Sequence, residues 1–123
     1  MILTNFAMET KIAKLNPFLN RADIIGYAAA RNTRILRDAV GAYITTRDAL
    51  IVKYGQLEKD DNDRQTGRYI IPYDDPNFST FKNELDRIGN IEHDVDIFKI
   101  SYSDVMDKLT GNEILEIDWM LDD

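Results

Sequence analysis

Apolar residues recur at helical spacing through most of the first half of the chain. Phe6, Ile12 and Leu15 form a first stripe, with Glu9 and Lys11 off it, and Thr4 or Asn5 is placed to cap the helix. Pro17 falls where that helix should stop. Asn20 offers a second cap, with Asp23 three residues on. From there Ile25, Ala28, Ile35, Ala39, Tyr43, Leu50 and Tyr54 repeat at steps of three and four, with polar gaps at Asn32 and Thr46. Ile24, Tyr27, Leu36, Val40, Ile44 and Ile51 make a second stripe beside it. The spacing predicts one long helix over about residues 21–54, closed by Gly55 in a left-handed C′ position. At about 1.5 Å per residue such a rod approaches 50 Å, more than a small fold needs, so it should either overhang or bend near Gly41.

The pattern then changes. Residues 56–67 (QLEKDDNDRQTG) lack apolar anchors and read as a flexible acidic loop. Residues 68–73 (RYIIPY) suggest a short edge strand. Asp75-Pro76 suggests a helix start, followed by Phe78, Phe81, Leu85 and Ile88 on one face and a stop at Gly89. Residues 91–100 alternate like a strand. Ser103 is placed to cap a turn, and Thr110 or Asn112 to cap a last helix. The whole predicts a single α+β domain over 1–123, mainly helical, with the long helix packed against shorter helices and a small two-stranded sheet.

Composition sharpens this picture. The 123 residues carry 15 basic and 22 acidic side chains, a net charge of −7. Residues 1–54 hold +4 and residues 55–123 hold −11, so the halves can screen each other or face different partners. There is no cysteine, which excludes disulfides and thiolate chemistry, and His93 is the one histidine. No apolar run approaches the ~20 residues that span a bilayer, and the opening residues lack the pattern of a signal peptide, so no membrane partner is expected.

No set of residues suggests catalysis, a metal or a cofactor. The run Asp60-Asp61-Asn62-Asp63 fails as a calcium loop, because counting from Asp61 puts Thr66 and Pro72 where a glycine and a glutamate are required. Ser79, Ser101 and Ser103 lack a nucleophile-elbow context, and the glycines never cluster into a phosphate loop. The Asn77-Phe78-Ser79 sequon matters only in a secreted protein. Arg31, Arg34 and Arg37 recur by three on the long helix, but Asp38 and Asp48 interrupt the row, which argues against direct nucleic-acid binding. The residues singled out for partner contact are therefore Tyr27, Arg31, Arg34, Leu36, Val40 and Tyr43 on the long helix, and Asp94 and Asp96 beyond it.

Several short segments in order carry a resemblance: Ala30-Arg31-Asn32, Arg47-Asp48-Ala49-Leu50, Lys53-Tyr54-Gly55, residues 81–85 (FKNEL), Val95-Asp96-Ile97 and residues 115–120 (LEIDWM). Together they resemble a family of small uncharacterised phage and prophage proteins. This chain departs from the family in its RYIIPY segment, which such proteins often shorten. The resemblance implies action in the infected bacterial cell or in the particle. It supplies no catalytic residues, since the family has no assigned activity. The expectation is a non-enzymatic virion or assembly component that binds another protein or itself. The alternative is an acidic inhibitor of a host or defence protein, with Asp94, Asp96, Asp104, Asp107, Asp122 and Asp123 as contacts and nucleic-acid mimicry as one form.

Overall fold

The computed structural model describes residues 1–122. In chain order the elements are β1 (Ile2–Thr4), α1 (Asn5–Leu15), α2 (Ile24–Tyr54), β2 (Gln56–Lys59), β3 (Gln65–Ile70), α3 (Phe78–Gly89), β4 (Glu92–Asp94), β5 (Ile100–Ser101), α4 (Gly111–Ile117) and β6 (Leu121–Asp122), with short 3-10 turns between some of them. The fold is mainly helical α+β, as the periodicity implies. The sheet content is three separate two-stranded pairings in place of the single one expected: β1–β4 and β2–β3 antiparallel, β5–β6 parallel. The chain divides into two compact units, residues 1–40 with 92–122, and residues 41–91.

The first unit has a sealed core. Met8, Leu15, Ile25, Ala28, Ala29, Leu36, Val40, Val105, Ile117 and Met120 are all fully buried. Thr4 caps α1 by accepting the Ala7 N–H at 3.0 Å, in line with the sequence. The long helix starts later than expected, and its cap is Asp23, not Asn20. Asp23 Oδ1 accepts from the Ile25 and Gly26 N–H groups, both at 3.1 Å, while Arg21 Nη2 holds the other oxygen at 2.7 Å. Asp23 stands one residue before the first helical residue, where its carboxylate reaches these free amides, and the charge-assisted Arg21 contact fixes it there. The chain passes so close to itself there that a Cβ on Gly26 would collide with the Arg21 carbonyl oxygen. At the other end of the unit, Thr110 and Glu113 form a reciprocal capping box on α4.

The alternating segment 91–100 is a strand only over Glu92–Asp94, with Leu3 opposite His93. Beyond it, buried Asn32 replaces a neighbouring strand. Its Nδ2 donates to the Phe98 carbonyl at 2.9 Å and its Oδ1 accepts the Phe98 N–H at 2.8 Å. A side-chain amide offers the same donor and acceptor as a peptide group, so it pairs with one residue of extended chain.

The second unit differs. Residues 56–67, expected as an irregular loop, form most of a β-hairpin. Strand pairing is a backbone interaction and does not need apolar side chains. The acidic run makes the turn: Asp60 Oδ1 accepts from the Asn62 and Arg64 N–H groups at 2.9 Å each, and Asp63 adopts a left-handed φ of 61°. Helix α3 starts at Phe78, two residues later than Asp75-Pro76 implied, because Asp75 Oδ1 accepts the Asn77 N–H in a turn that precedes the helix. Gly55 is not the left-handed residue expected, since Gly67 alone among the glycines has positive φ. Its small size matters for another reason: a Cβ there would collide with the Ile51 carbonyl oxygen and approach that of Ile70 to 2.9 Å.

Candidate interaction surface

Helical spacing of three and four residues brings Tyr27, Ala30, Arg31, Arg34, Ile35 and Asp38 to one side of α2, where they line an open hollow of about 620 Å³. Tyr27 is 51% exposed, a large amount for an aromatic ring within a helix that packs a core. Its ring meets Phe98 edge-on at 5.5 Å between centroids. Arg31 lies over both rings, 4.8 Å from Phe98 and 5.8 Å from Tyr27, and its Nη1 donates to the Tyr27 hydroxyl at 3.1 Å. The guanidinium is thus held in place with no carboxylate attached among the described residues.

A second hollow of about 300 Å³ adjoins the first and shares Ala30, Arg34 and Asp38 with it, adding Leu19, Thr33 and Arg37. Arg34 and Arg37 are exposed and make no ion pair among the described residues. Thr33 is 5% exposed, and its hydroxyl has no hydrogen-bond partner among the described residues.

Of the residues singled out in the sequence, Tyr27, Arg31 and Arg34 therefore come together. Leu36, Val40 and Tyr43 do not belong with them. Leu36 and Val40 are fully buried and Tyr43 is 4% exposed, so they are not open to a partner. Buried Leu36 and Val40 share a stripe of α2 with exposed Tyr27, so stripe membership in the sequence does not separate core positions from open ones. Asp94 and Asp96 are exposed but line neither hollow, and Asp94 instead meets the Met1 amino nitrogen at 3.0 Å. Asp104, Asp107 and Asp122 are also exposed, whereas Asp123 lies outside the described residues. Sequence reading missed Phe98, which reaches the surface through the Asn32 clamp. The polar gap at Asn32 in an otherwise apolar stripe was the available signal.

Other groups are engaged in the fold. His93 Nε2 lies 3.0 Å from Oδ1 of buried Asn5. Lys11 sits over the Trp119 ring at 4.9 Å, and burial, followed by the Lys14 charge, pushes its ammonium below the usual lysine range. Within the second unit, Thr46, Leu50, Glu84, Arg87, Ile88 and Ile91 border a separate apolar hollow of about 480 Å³. Among the described residues no group of His, Asp or Glu is placed to hold a metal, and no helix is long and apolar enough to cross a membrane. No family model, curated protein or solved structure matches the chain.

Proposed function

We propose that this is a non-enzymatic, phage-encoded protein that works as a virion or assembly component by binding another protein through the exposed side of α2. The phage assignment rests on the resemblance in the sequence. The observation that carries the binding role is the gathering of Tyr27, Arg31 and Arg34 around one open hollow. Tyrosine and arginine dominate the energetics of protein interfaces, because each combines a large apolar contact with directional polar groups. Arg31 is already held over the Tyr27 and Phe98 rings, which leaves that side chain less conformational entropy to lose.

A tagged copy with a photo-crosslinking residue in place of Ala30, expressed in infected cells, tests this reading. The expected result is one discrete crosslinked protein, absent when the crosslinker replaces exposed Arg68 on the hairpin. Equal labelling from both positions, or none from either, refutes it.

A second reading, inhibition of a host or defence protein, draws support from the exposed carboxylates of Glu92, Asp94, Asp96, Asp104 and Asp107. It requires that Asp94→Asn with Asp96→Asn weaken binding and that affinity fall steeply with salt.

A further inference from the structure

We infer that the face of α2 from Tyr27 to Arg37 takes an acidic protein segment with an apolar anchor residue set between its carboxylates. This rests on the binding role proposed above and adds the chemistry of the ligand. Charge complementarity is the first reason. Arg31, Arg34 and Arg37 recur by three along α2, all exposed and none paired with a carboxylate among the described residues. A guanidinium presents parallel N–H groups that match a carboxylate in two-point contact. The second reason is rigidity at Arg31, whose position over the Phe98 ring and hydrogen bond to Tyr27 leave less freedom to lose on binding.

The third reason is the apolar lining. Ala30, Ile35 and the Tyr27 ring border the open hollow of about 620 Å³. A purely ionic partner would leave that surface unused, whereas a leucine side chain can lie against it. Asp38 decides between peptide and nucleic acid. It borders both hollows and would repel a backbone with a phosphate at every step. A peptide can place its carboxylates opposite the arginines and a neutral residue opposite Asp38.

The test is fluorescence anisotropy with the full chain. The probe is a short labelled peptide in which a leucine is flanked by aspartates and glutamates. Comparison ligands are the same peptide with serine for leucine, the peptide with amides for carboxylates, and a single-stranded oligonucleotide. Arg34→Glu with Arg37→Glu is expected to weaken the acidic peptide at least ~10-fold, and each peptide change to do the same. Arg64→Glu with Arg68→Glu on the hairpin alters net charge equally, touches no residue lining either hollow, and should shift affinity by no more than ~2-fold. Circular dichroism verifies folding; if the reversal pair unfolds, Arg34→Gln with Arg37→Gln replaces it. Absent binding, equal losses in both pairs, or tighter binding of the oligonucleotide overturns the inference. So does concentration-dependent self-association abolished by the Arg34/Arg37 pair, which would assign the face to a second copy. A protein crosslinked at Ala30 with no affinity for the acidic peptide leaves the binding role standing and removes only this ligand assignment.

Discussion

Leu36 and Leu85 both lie on apolar faces of helices, in different compact units, and they meet different fates. Leu36 is fully buried, as are nine other apolar residues of its unit. Leu85 is half-buried, and so are Leu50, Ile51, Phe78, Phe81 and Ile88 around it in the chain. Among the described residues of the unit spanning 41–91, only Tyr43 and Gly89 are buried. That unit relies more on directional contacts: the β2–β3 ladder, the Asp60 turn, and a hydrogen bond from the Tyr54 hydroxyl to Glu84 at 3.0 Å. Cooperative stability follows sealed apolar volume, so the two units should open at different free energies.

The largest expected contrast tests that directly. Leu36→Ala should cost about 3 kcal/mol by leaving a cavity in a core that cannot collapse. Leu85→Ala, already half in water, should cost about 1 kcal/mol. Urea unfolding followed through Trp119 reads the first unit, and hydrogen exchange resolved by residue reads both. Equal costs would remove the distinction. Next comes Asn32→Ala, which strands the Phe98 N–H and carbonyl and should cost about 2–3 kcal/mol. It should also loosen the packing of Phe98 on Tyr27, seen as changed ring shifts by NMR.

Two glycines sharpen the comparison with opposite signs. Gly55→Ala forces a Cβ into the Ile51 carbonyl oxygen and should destabilise the 41–91 unit by about 1–3 kcal/mol, read as faster exchange in β2 and β3. Gly41→Ala meets nothing within 4 Å in mid-helix and should stabilise the protein by about 0.5–1 kcal/mol, read as a higher Tm.

The smallest effect is a pH dependence confined to the first unit. The Arg21 guanidinium holds the Asp23 carboxyl below the usual range, helped by the Gly26 and Ile25 amides, and the Thr110 backbone N–H does the same for Glu113. Carboxyls lowered by folding contribute stability above the ordinary carboxylate range, and that contribution fades as pH falls through their lowered values. The Trp119-detected Tm should therefore drop on acidification, and drop less in a variant combining Asp23→Ala with Glu113→Ala. An identical slope in that variant would refute this assignment.

How much was legible in the sequence follows the same physics. Helix α2 and the face of α3 were readable because apolar periodicity is local, and so was the trio Arg31, Arg34 and Arg37. The start of α2 was misread because the Asp23 cap depends on Arg21 folding back, which spacing does not reveal. The hairpin was hidden because its strands pair through backbone groups under polar side chains. Phe98 was hidden because its partner Asn32 lies 66 residues away, and only closure of the fold joins them.

The discontinuity of the first unit bears on biosynthesis. Roughly fifty residues intervene between its two segments, and β1 must await β4 from the far side of that interval. A nascent chain emerging from the ribosome therefore displays α1 and early α2 with their greasy sides uncovered until residues 92–122 have been made. Slowing elongation after Ile91 should prolong that exposure and raise dependence on chaperones, whereas the contiguous hairpin and α3 have no such wait.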